Sequence, residues 1–253
     1  MSTIELKLAC SSLTFGKLAN KKHFEKTLDE IKETGYSGLQ IEYDYLPPIL
    51  RSDPKQVSEL VESRGLQTVA VAVTFSKDMG YFTQNVGAKV GTLCLFEKDF
   101  DTAARKTKDL LKFYSKLGLS LSAQPHVRSN LESIEQTKEL IERCKLLPLT
   151  LTFDTAHLTA LGVELIEFIG IFGDKISMVH LKDLKSMKDI QKIDFEIDFV
   201  DLGDGIVNFS KTLKALKRAR YEGWLVVEVD HPQEKTAFAS IKKNFERLSQ
   251  ILP

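Results

Sequence analysis

The chain has 253 residues, of which 43% are hydrophobic, and its 35 basic residues balance its 35 acidic residues. A net charge of zero argues against a protein that binds nucleic acid along its phosphates, because such proteins usually carry a basic excess. The N-terminal residues lack the apolar core of a secretion signal, and no apolar run reaches the ~20 residues of a membrane helix, so we expect a cytoplasmic protein without membrane contacts. Cys10, Cys94 and Cys144 form no C-x-x-C pair and are predicted to be buried hydrophobic residues.

Short apolar runs alternate with amphipathic segments along almost the whole chain, which is typical of a parallel sheet covered by helices. The predicted strands are 5–10, 38–42, 67–74, 90–96, 119–124, 149–153, 176–180 and 224–229. The predicted helices are 21–34, 54–64, 101–117, 130–146, 161–172, 209–220 and 234–250. Only residues 75–89 remain between the third and fourth strands, so the third helix is predicted to be shortened. Eight strands in a chain of this length predict a single (β/α)8 TIM barrel over residues 1–253.

Residues typical of helix starts support these boundaries. Asn20 and Asp53 precede two predicted helices as N-caps, and Pro54 occupies a first-turn position. Asp101 is predicted to open the helix at 101–117. The local residues at the helix starts therefore agree with the helices predicted from the apolar pattern.

Four predicted strands end in residues that can bind a metal. Gln124 ends the fifth predicted strand and His126 lies two residues beyond it, Asp154 follows the sixth, His180 ends the seventh, and Glu228 lies in the eighth. Because the C-terminal ends of all strands meet at one mouth of a barrel, these distant residues are expected to converge. A carboxylate in a valine-rich strand is costly to bury unless it is paired or ligated, so a salt bridge to a lysine is the alternative for Glu228.

The residue types indicate which metal such a site would bind. A mixture of Asp, His and Glu suits Mn²⁺, Mg²⁺, Fe²⁺, Co²⁺ or Zn²⁺, and the lack of thiolate ligands removes the signature of a structural zinc. Oxygen-rich ligation with open positions favours a catalytic metal that holds a chelating substrate. We expect one divalent ion, with Mn²⁺ favoured.

The chain resembles the xylose isomerase-like TIM-barrel superfamily, which includes sugar-phosphate isomerases and epimerases, hydroxypyruvate isomerase, ketose 3-epimerases, inosose dehydratase and endonuclease IV. The resemblance covers essentially the whole chain. It is carried by Phe-Asp-Thr-Ala-His with Leu-Thr-Ala-Leu-Gly (153–162), Val-His-Leu-Lys-Asp (179–183), Leu-Gly-Asp-Gly-Ile-Val-Asn-Phe (202–209) and Tyr-Glu-Gly-Trp-Leu-Val-Val-Glu-Val-Asp (221–230). It implies a barrel that binds one divalent metal through Glu, Asp, His and Glu from four successive strands.

The resemblance assigns roles to individual residues. Asp154, His180 and Glu228 match three metal positions, and Gln124 stands at the fourth, where isomerases and epimerases carry Glu. His157 matches a family histidine near the substrate and is predicted to bind substrate or act in catalysis. An amide can bind a metal through its oxygen but cannot act as a base, which puts a two-base epimerase mechanism in doubt.

The implied function is a divalent-metal-dependent sugar or polyol isomerase or epimerase that acts through an enediolate on a small carbohydrate or keto-sugar. The first alternative is an inosose dehydratase-like lyase, because the family's His-Pro-His in that branch resembles Gln124-Pro125-His126. In a lyase, Glu228 or His126 would take the proton, and His157 or Lys182 would protonate the leaving hydroxyl or bind substrate oxygens.

Glu42 ends the second strand and matches a frequent family glutamate, so it is predicted either to bind substrate or to orient a ligand histidine. A barrel that kept the fold but serves as a binding protein is a further alternative, which the missing glutamate supports. A three-metal nuclease like endonuclease IV is disfavoured, since the chain has five histidines. Asp204 in Gly203-Asp204-Gly205 would repel a phosphate, so we expect an unphosphorylated substrate. Family members often pair, which leaves a homo-oligomer open.

Overall fold

Eight parallel strands close into a barrel in the computed structural model, which describes residues 7–252. The strands are β1 (Lys7–Ser11), β2 (Gly38–Glu42), β3 (Gln67–Val73), β4 (Val90–Cys94), β5 (Ser120–Gln124), β6 (Leu149–Asp154), β7 (Ile176–Leu181), the short pair β8 (Asp183–Leu184) and β9 (Phe199–Val200), and β10 (Trp224–Val227). The barrel order is β1-β10-β7-β6-β5-β4-β3-β2. This confirms the predicted (β/α)8 barrel; the first two residues of predicted strand 5–10 lie outside the described residues.

Ten α-helices occur in the described part of the chain. They are α1 (Lys21–Thr34), α2 (Pro48–Arg51), α3 (Pro54–Glu62), α4 (Lys77–Asn85), α5 (Phe100–Lys116), α6 (Ile134–Arg143), α7 (Thr155–Ala160), α8 (Leu165–Phe172), α9 (Phe209–Arg218) and α10 (Ala237–Ile251). Helix α4, which connects β3 to β4, has nine residues, whereas α5 has 17. This confirms the predicted shortening of the helix between the third and fourth strands.

Three predicted helix boundaries are wrong, two because a different side chain caps the helix and one because a glycine interrupts it. Asp99 rather than Asp101 caps α5, since its carboxylate accepts the Thr102 amide hydrogen. Ser133 caps α6, so that helix begins at Ile134 instead of residue 130. The predicted helix 161–172 begins earlier and is divided into α7 and α8 by Gly162, whose φ of 72° lies in the left-handed region.

The segment after β7 covers one side of the barrel mouth. β8 and β9 pair antiparallel, with Leu184 opposite Phe199, and neither strand was predicted. A small apolar cluster packs beneath them, comprising Val127, Ala156, Ala160, Leu184, Ile193 and Phe199. The barrel strands pack outward against the helices in a separate, larger core. Within residues 7–252, every helix is too short or too polar to cross a membrane.

Candidate metal centre

Three of the predicted metal ligands meet at the C-terminal mouth of the barrel. Asp154 ends β6, His180 lies in β7, and Glu228 follows β10, one residue after the strand rather than inside it as predicted. Their ligand atoms all lie within 4.8 Å of one another, and at most 6% of each residue is exposed. We call these three residues the metal triad. Because β6, β7 and β10 are neighbours in the barrel, parallel pairing alone brings the three side chains together.

The imidazole of His180 tests whether this triad suits a cation. Its Nδ1 atom lies 3.6 Å from Asp154 Oδ2 and 3.8 Å from Glu228 Oε1, beyond hydrogen-bonding distance. That nitrogen is buried and makes no hydrogen bond to any residue in 7–252. Buried polar atoms are rarely left unpaired, so a nitrogen enclosed by two carboxylates fits a metal ligand better than a structural histidine.

Lys182 carries the positive charge closest to the triad. Its ammonium lies 2.8 Å from Glu228 Oε1 and 2.7 Å from Asp230 Oδ2. Burial alone would lower the pKa of Lys182, but the two carboxylates raise it well above its usual range. The same ammonium, with His180, holds the pKa of Glu228 below its usual range against the opposing effect of burial. Glu228 is therefore anionic, and the predicted salt bridge to a lysine coexists with its place in the triad.

A cavity of about 250 Å³ opens beside the triad. Its wall includes the predicted site residues Gln124, His126, His180, Lys182, Glu228 and Glu42, together with the exposed ring of Phe96. Burial, reinforced by the charge of Glu228, raises the pKa of Glu42. The volume lies below the ~300–1,000 Å³ of pockets for drug-sized ligands, so the cavity suits a single small ring.

The matches to known proteins agree with the barrel fold. A family model described as a xylose isomerase-like TIM barrel matches residues 72–250. An inosose dehydratase from Bacillus cereus is 24% identical over 90% of each chain. Two solved structures share the fold: a zinc-bound IolI protein (TM-score 0.79, 20% identity, 98% of each chain) and an L-ribulose 3-epimerase (TM-score 0.80, 15% identity, 98% of this chain and 95% of the other).

The chain belongs to the xylose isomerase-like TIM-barrel family. This confirms the predicted family. The prediction that the protein is an enzyme that acts on sugar-like substrates is also confirmed. The metal triad supports a divalent metal as cofactor. The reaction, the ion and the roles of single residues are taken up as proposals below.

Gln124 is where this family member departs from the pattern of three carboxylates and one histidine that the resemblance implies. The residue ends β5, is 4% exposed, and its amide nitrogen donates a hydrogen bond to Asp154 Oδ2 at 3.1 Å. The amide thus adjoins the triad at the expected fourth position. It supplies hydrogen-bonding capacity there but no charge, so the site holds one carboxylate fewer than a family epimerase.

His126 and His157 pack ring against ring at the same side of the mouth, with ring centroids 3.6 Å apart and ring planes inclined by 31°. His126 lines the cavity, whereas His157 is fully buried behind it, under Phe195 and Phe199. Nδ1 of His126 lies 2.7 Å from the Val127 carbonyl oxygen. A carbonyl only accepts hydrogen bonds, so Nδ1 carries the proton and Nε2 the lone pair. Burial and the Lys182 charge lower the pKa of His126 to about 4, which keeps it neutral at pH 7.

Two residues of the site were missed in the sequence, Gln40 and Asp230. Gln40 is buried in β2 and hydrogen-bonds to His180, Glu228 and Glu42. Asp230 pairs with Lys182, and burial raises its pKa although that ammonium opposes the rise. A signal was available: each lies two residues from a predicted site glutamate, and alternate strand residues share one face.

Outside the triad, a further buried carboxylate lies three residues beyond His180. Asp183 accepts four backbone hydrogen bonds, from Leu184 and Val207 at Oδ1 (2.9 and 3.0 Å) and from Gly203 and Gly205 at Oδ2 (2.8 and 3.0 Å). We call this group the Asp183 anchor. It fills the amide-lined turn of Gly203-Asp204-Gly205 with the protein's own carboxylate, which gives a physical reason to expect no phosphate there.

Proposed function

We propose that the protein is a divalent-metal-dependent lyase that removes water from a small, unphosphorylated keto-sugar or keto-cyclitol. The observation that carries the proposal is the pair at the end of β5: an amide at Gln124, followed by a neutral imidazole at His126 that lines the cavity. One base is then available on this side of the cavity, and it is a histidine. The similarity to an inosose dehydratase over 90% of the chain supports the same substrate class.

Asp154, His180 and Glu228 would hold the ion, with the neighbouring Gln124 amide as the candidate fourth ligand. A bound divalent ion would supply Lewis-acid polarisation of a substrate carbonyl, which acidifies the adjacent carbon. We propose Mn²⁺ because most of the ligand atoms are oxygens. Zn²⁺ is the second ion to test, since the IolI structure contains it.

The remaining residues would handle protons. His126 would accept the proton from the carbon beside the carbonyl at Nε2, while its Nδ1–H stays bound to the Val127 carbonyl. Lys182, paired with Asp230, would donate a proton to the hydroxyl that leaves from the next carbon, so water and an unsaturated ketone are formed. Glu42 would bind substrate hydroxyls. His157, packed behind His126, would orient that ring.

Incubation with an inosose and Mn²⁺ in D₂O, followed by NMR and ultraviolet absorbance, tests the reaction. We expect an ultraviolet-absorbing product that has lost one water, and a His126→Asn variant with kcat reduced by about 10²–10⁴-fold, the range for a lost general base. His23→Asn, whose ring lies outside the cavity wall, serves as the matched control. Normal turnover by His126→Asn would exclude the assigned base.

An epimerase is the second candidate, because Glu42 and Glu228 are among the carboxylates that line the same cavity. It would yield an epimer of a ketose carrying one solvent deuterium at the inverted carbon, with no loss of water. If the protein binds Mn²⁺ but turns over neither an inosose nor ketoses such as ribulose and allulose, the binding-protein alternative takes precedence.

A further inference from the structure

Gln40 lies at the centre of the hydrogen bonds around the metal triad. Its side chain is 1% exposed. Its Oε1 is 2.8 Å from His180 Nε2, and its Nε2 is 3.3 Å from Glu228 Oε2 and 3.2 Å from Glu42 Oε1. One amide thus contacts two of the three triad residues, and Gln124 contacts the third, Asp154.

The chemistry of these contacts fixes the direction of each hydrogen bond. An ionised carboxylate only accepts hydrogen bonds, so the amide nitrogen of Gln40 must face Glu228, and the amide oxygen must face His180. That oxygen also only accepts, so His180 carries its proton on Nε2. In the neutral imidazole the lone pair then lies on Nδ1, the atom enclosed by Asp154 and Glu228.

We propose that Gln40 is a positioning residue that prepares two ligands of the triad for a divalent ion. It selects the tautomer in which His180 offers Nδ1, and it holds one oxygen of Glu228 while Lys182 holds the other at 2.8 Å. The inference rests on the proposed metal site and adds to it a residue that does not touch the ion. Outer partners of this kind typically contribute about 10–100-fold to metal affinity.

Two variants separate the functions of the amide. Gln40→Met is similar in length but neither donates nor accepts strongly, so it should lose the tautomer preference and the restraint on Glu228. Gln40→Glu keeps an acceptor opposite His180 Nε2 and loses the donors. Gln67→Met is the matched control, since Gln67 is exposed at the start of β3, at the opposite end of the strand from the mouth.

The first readout is ¹⁵N NMR of histidine side chains in the metal-free protein at alkaline pH, where the imidazole of His180 is neutral, with a His180→Asn spectrum to assign the signal among the five histidines. We expect the Nε2–H tautomer of His180 in the parent, in Gln40→Glu and in Gln67→Met. Gln40→Met should show a mixture of tautomers. This readout needs neither an ion nor substrate, and a merely structural role for Gln40 would not change it.

The second readout is calorimetric titration with Mn²⁺ and with Zn²⁺ alone. We expect Gln40→Met to bind about 10–100-fold more weakly than the parent, and Gln67→Met to bind equally well. If the parent binds metal and Gln40→Met keeps both the affinity and the tautomer, the inference is overturned while the metal site stands. If the parent binds neither ion, the proposed metal site fails, and the assignment of Gln40 toward a metal fails with it, even where the tautomer shifts.

Discussion

The metal triad and the Asp183 anchor differ in how the fold satisfies their buried polar atoms. The Asp183 carboxylate accepts four backbone hydrogen bonds and is complete within the chain. The triad leaves His180 Nδ1 without a hydrogen bond from any residue in 7–252, and Glu228 and Asp230 share the ammonium of Lys182. The comparison teaches that a complete polar cluster serves the fold, whereas an incomplete one with excess negative charge marks the place where a cation would act.

The largest effect on stability is expected at the anchor. Asp183→Ala leaves four backbone N–H groups without their acceptor, and each unsatisfied buried donor costs ~1–3 kcal/mol. With relaxation of the loop, we expect a loss of about 4 kcal/mol in the free energy of unfolding, measured by urea denaturation at pH 7. Asp204→Ala, which removes partly exposed ion pairs to Lys243 and Arg247, should cost ~1 kcal/mol or less. Equal costs for the two variants would remove the distinction drawn for the anchor.

Lys182→Met should show how strongly the carboxylates around the metal triad depend on the ammonium of Lys182. Removing one partner of a buried ion pair typically costs ~3–5 kcal/mol because the opposite charge stays buried. We expect a loss of about 3 kcal/mol in the metal-free protein, and partial recovery upon addition of Mn²⁺. Lys145→Met, at an exposed pair with Glu142, is the control and should change stability by less than ~1 kcal/mol. A Lys182→Met variant that is stable without metal and indifferent to Mn²⁺ would contradict the description of the triad as electrostatically incomplete.

Two glycines test how closely the anchor is packed. A Cβ at Gly205 would lie 2.3 Å from the Leu184 carbonyl oxygen and 2.4 Å from Asp183 Oδ1, so the anchored carboxylate would have to move. A Cβ at Gly203 would meet nothing closer than 3.7 Å, and only its φ of +87° opposes a side chain. We expect Gly205→Ala to cost about 2–3 kcal/mol through lost hydrogen bonds and Gly203→Ala about 1 kcal/mol through backbone strain. The reverse order in urea denaturation would show that the anchor is loosely packed.

The smallest effect concerns pH. The pKa of His126 is lowered to about 4 in the folded protein, against ~6.5 when unfolded, so the unfolded state binds more protons between these values. The corresponding stability is fully present above pH ~6.5 and is lost as the pH falls toward 4. Between pH 6.5 and 4, the free energy of unfolding of chelator-treated His126→Asn should fall by about 2 kcal/mol less than that of the parent. If the stability of the two proteins falls in parallel with pH, the pKa of His126 is not lowered by folding.

The barrel could be predicted from the sequence because each strand is a local apolar run, and eight alternating β/α units generally close into a barrel. The convergence of Asp154, His180 and Glu228 followed from the same rule. The division of predicted helix 161–172 was missed because it depends on the backbone conformation of Gly162. β8 and β9 were missed because a two-residue strand has no periodicity to detect.

The site itself was predicted only in part, for a different physical reason. Gln40 and Asp230 contribute through contacts with residues far away in the chain, and sequence reasoning concentrated on strand-end residues that could bind a metal. His157 was predicted near the substrate, but only the structure shows that His126 stands between its ring and the cavity. The orientation of an imidazole or an amide depends on its neighbours in three dimensions, and one sequence does not contain those distances.

Metal content of the parent beside Asp154→Asn tests the central claim most directly. Asp154 has two functions: Oδ1 accepts the backbone amides of Ala156 and His157 at the start of α7, and Oδ2 faces His180. Asn keeps the capping function but removes the anionic ligand, so the fold should survive. We predict about one equivalent of divalent metal in the parent by elemental analysis after Mn²⁺ loading and dialysis, and binding weakened by about 100-fold or more in Asp154→Asn with an unchanged Tm. A parent that binds no ion, or a variant that binds as tightly, would contradict the account.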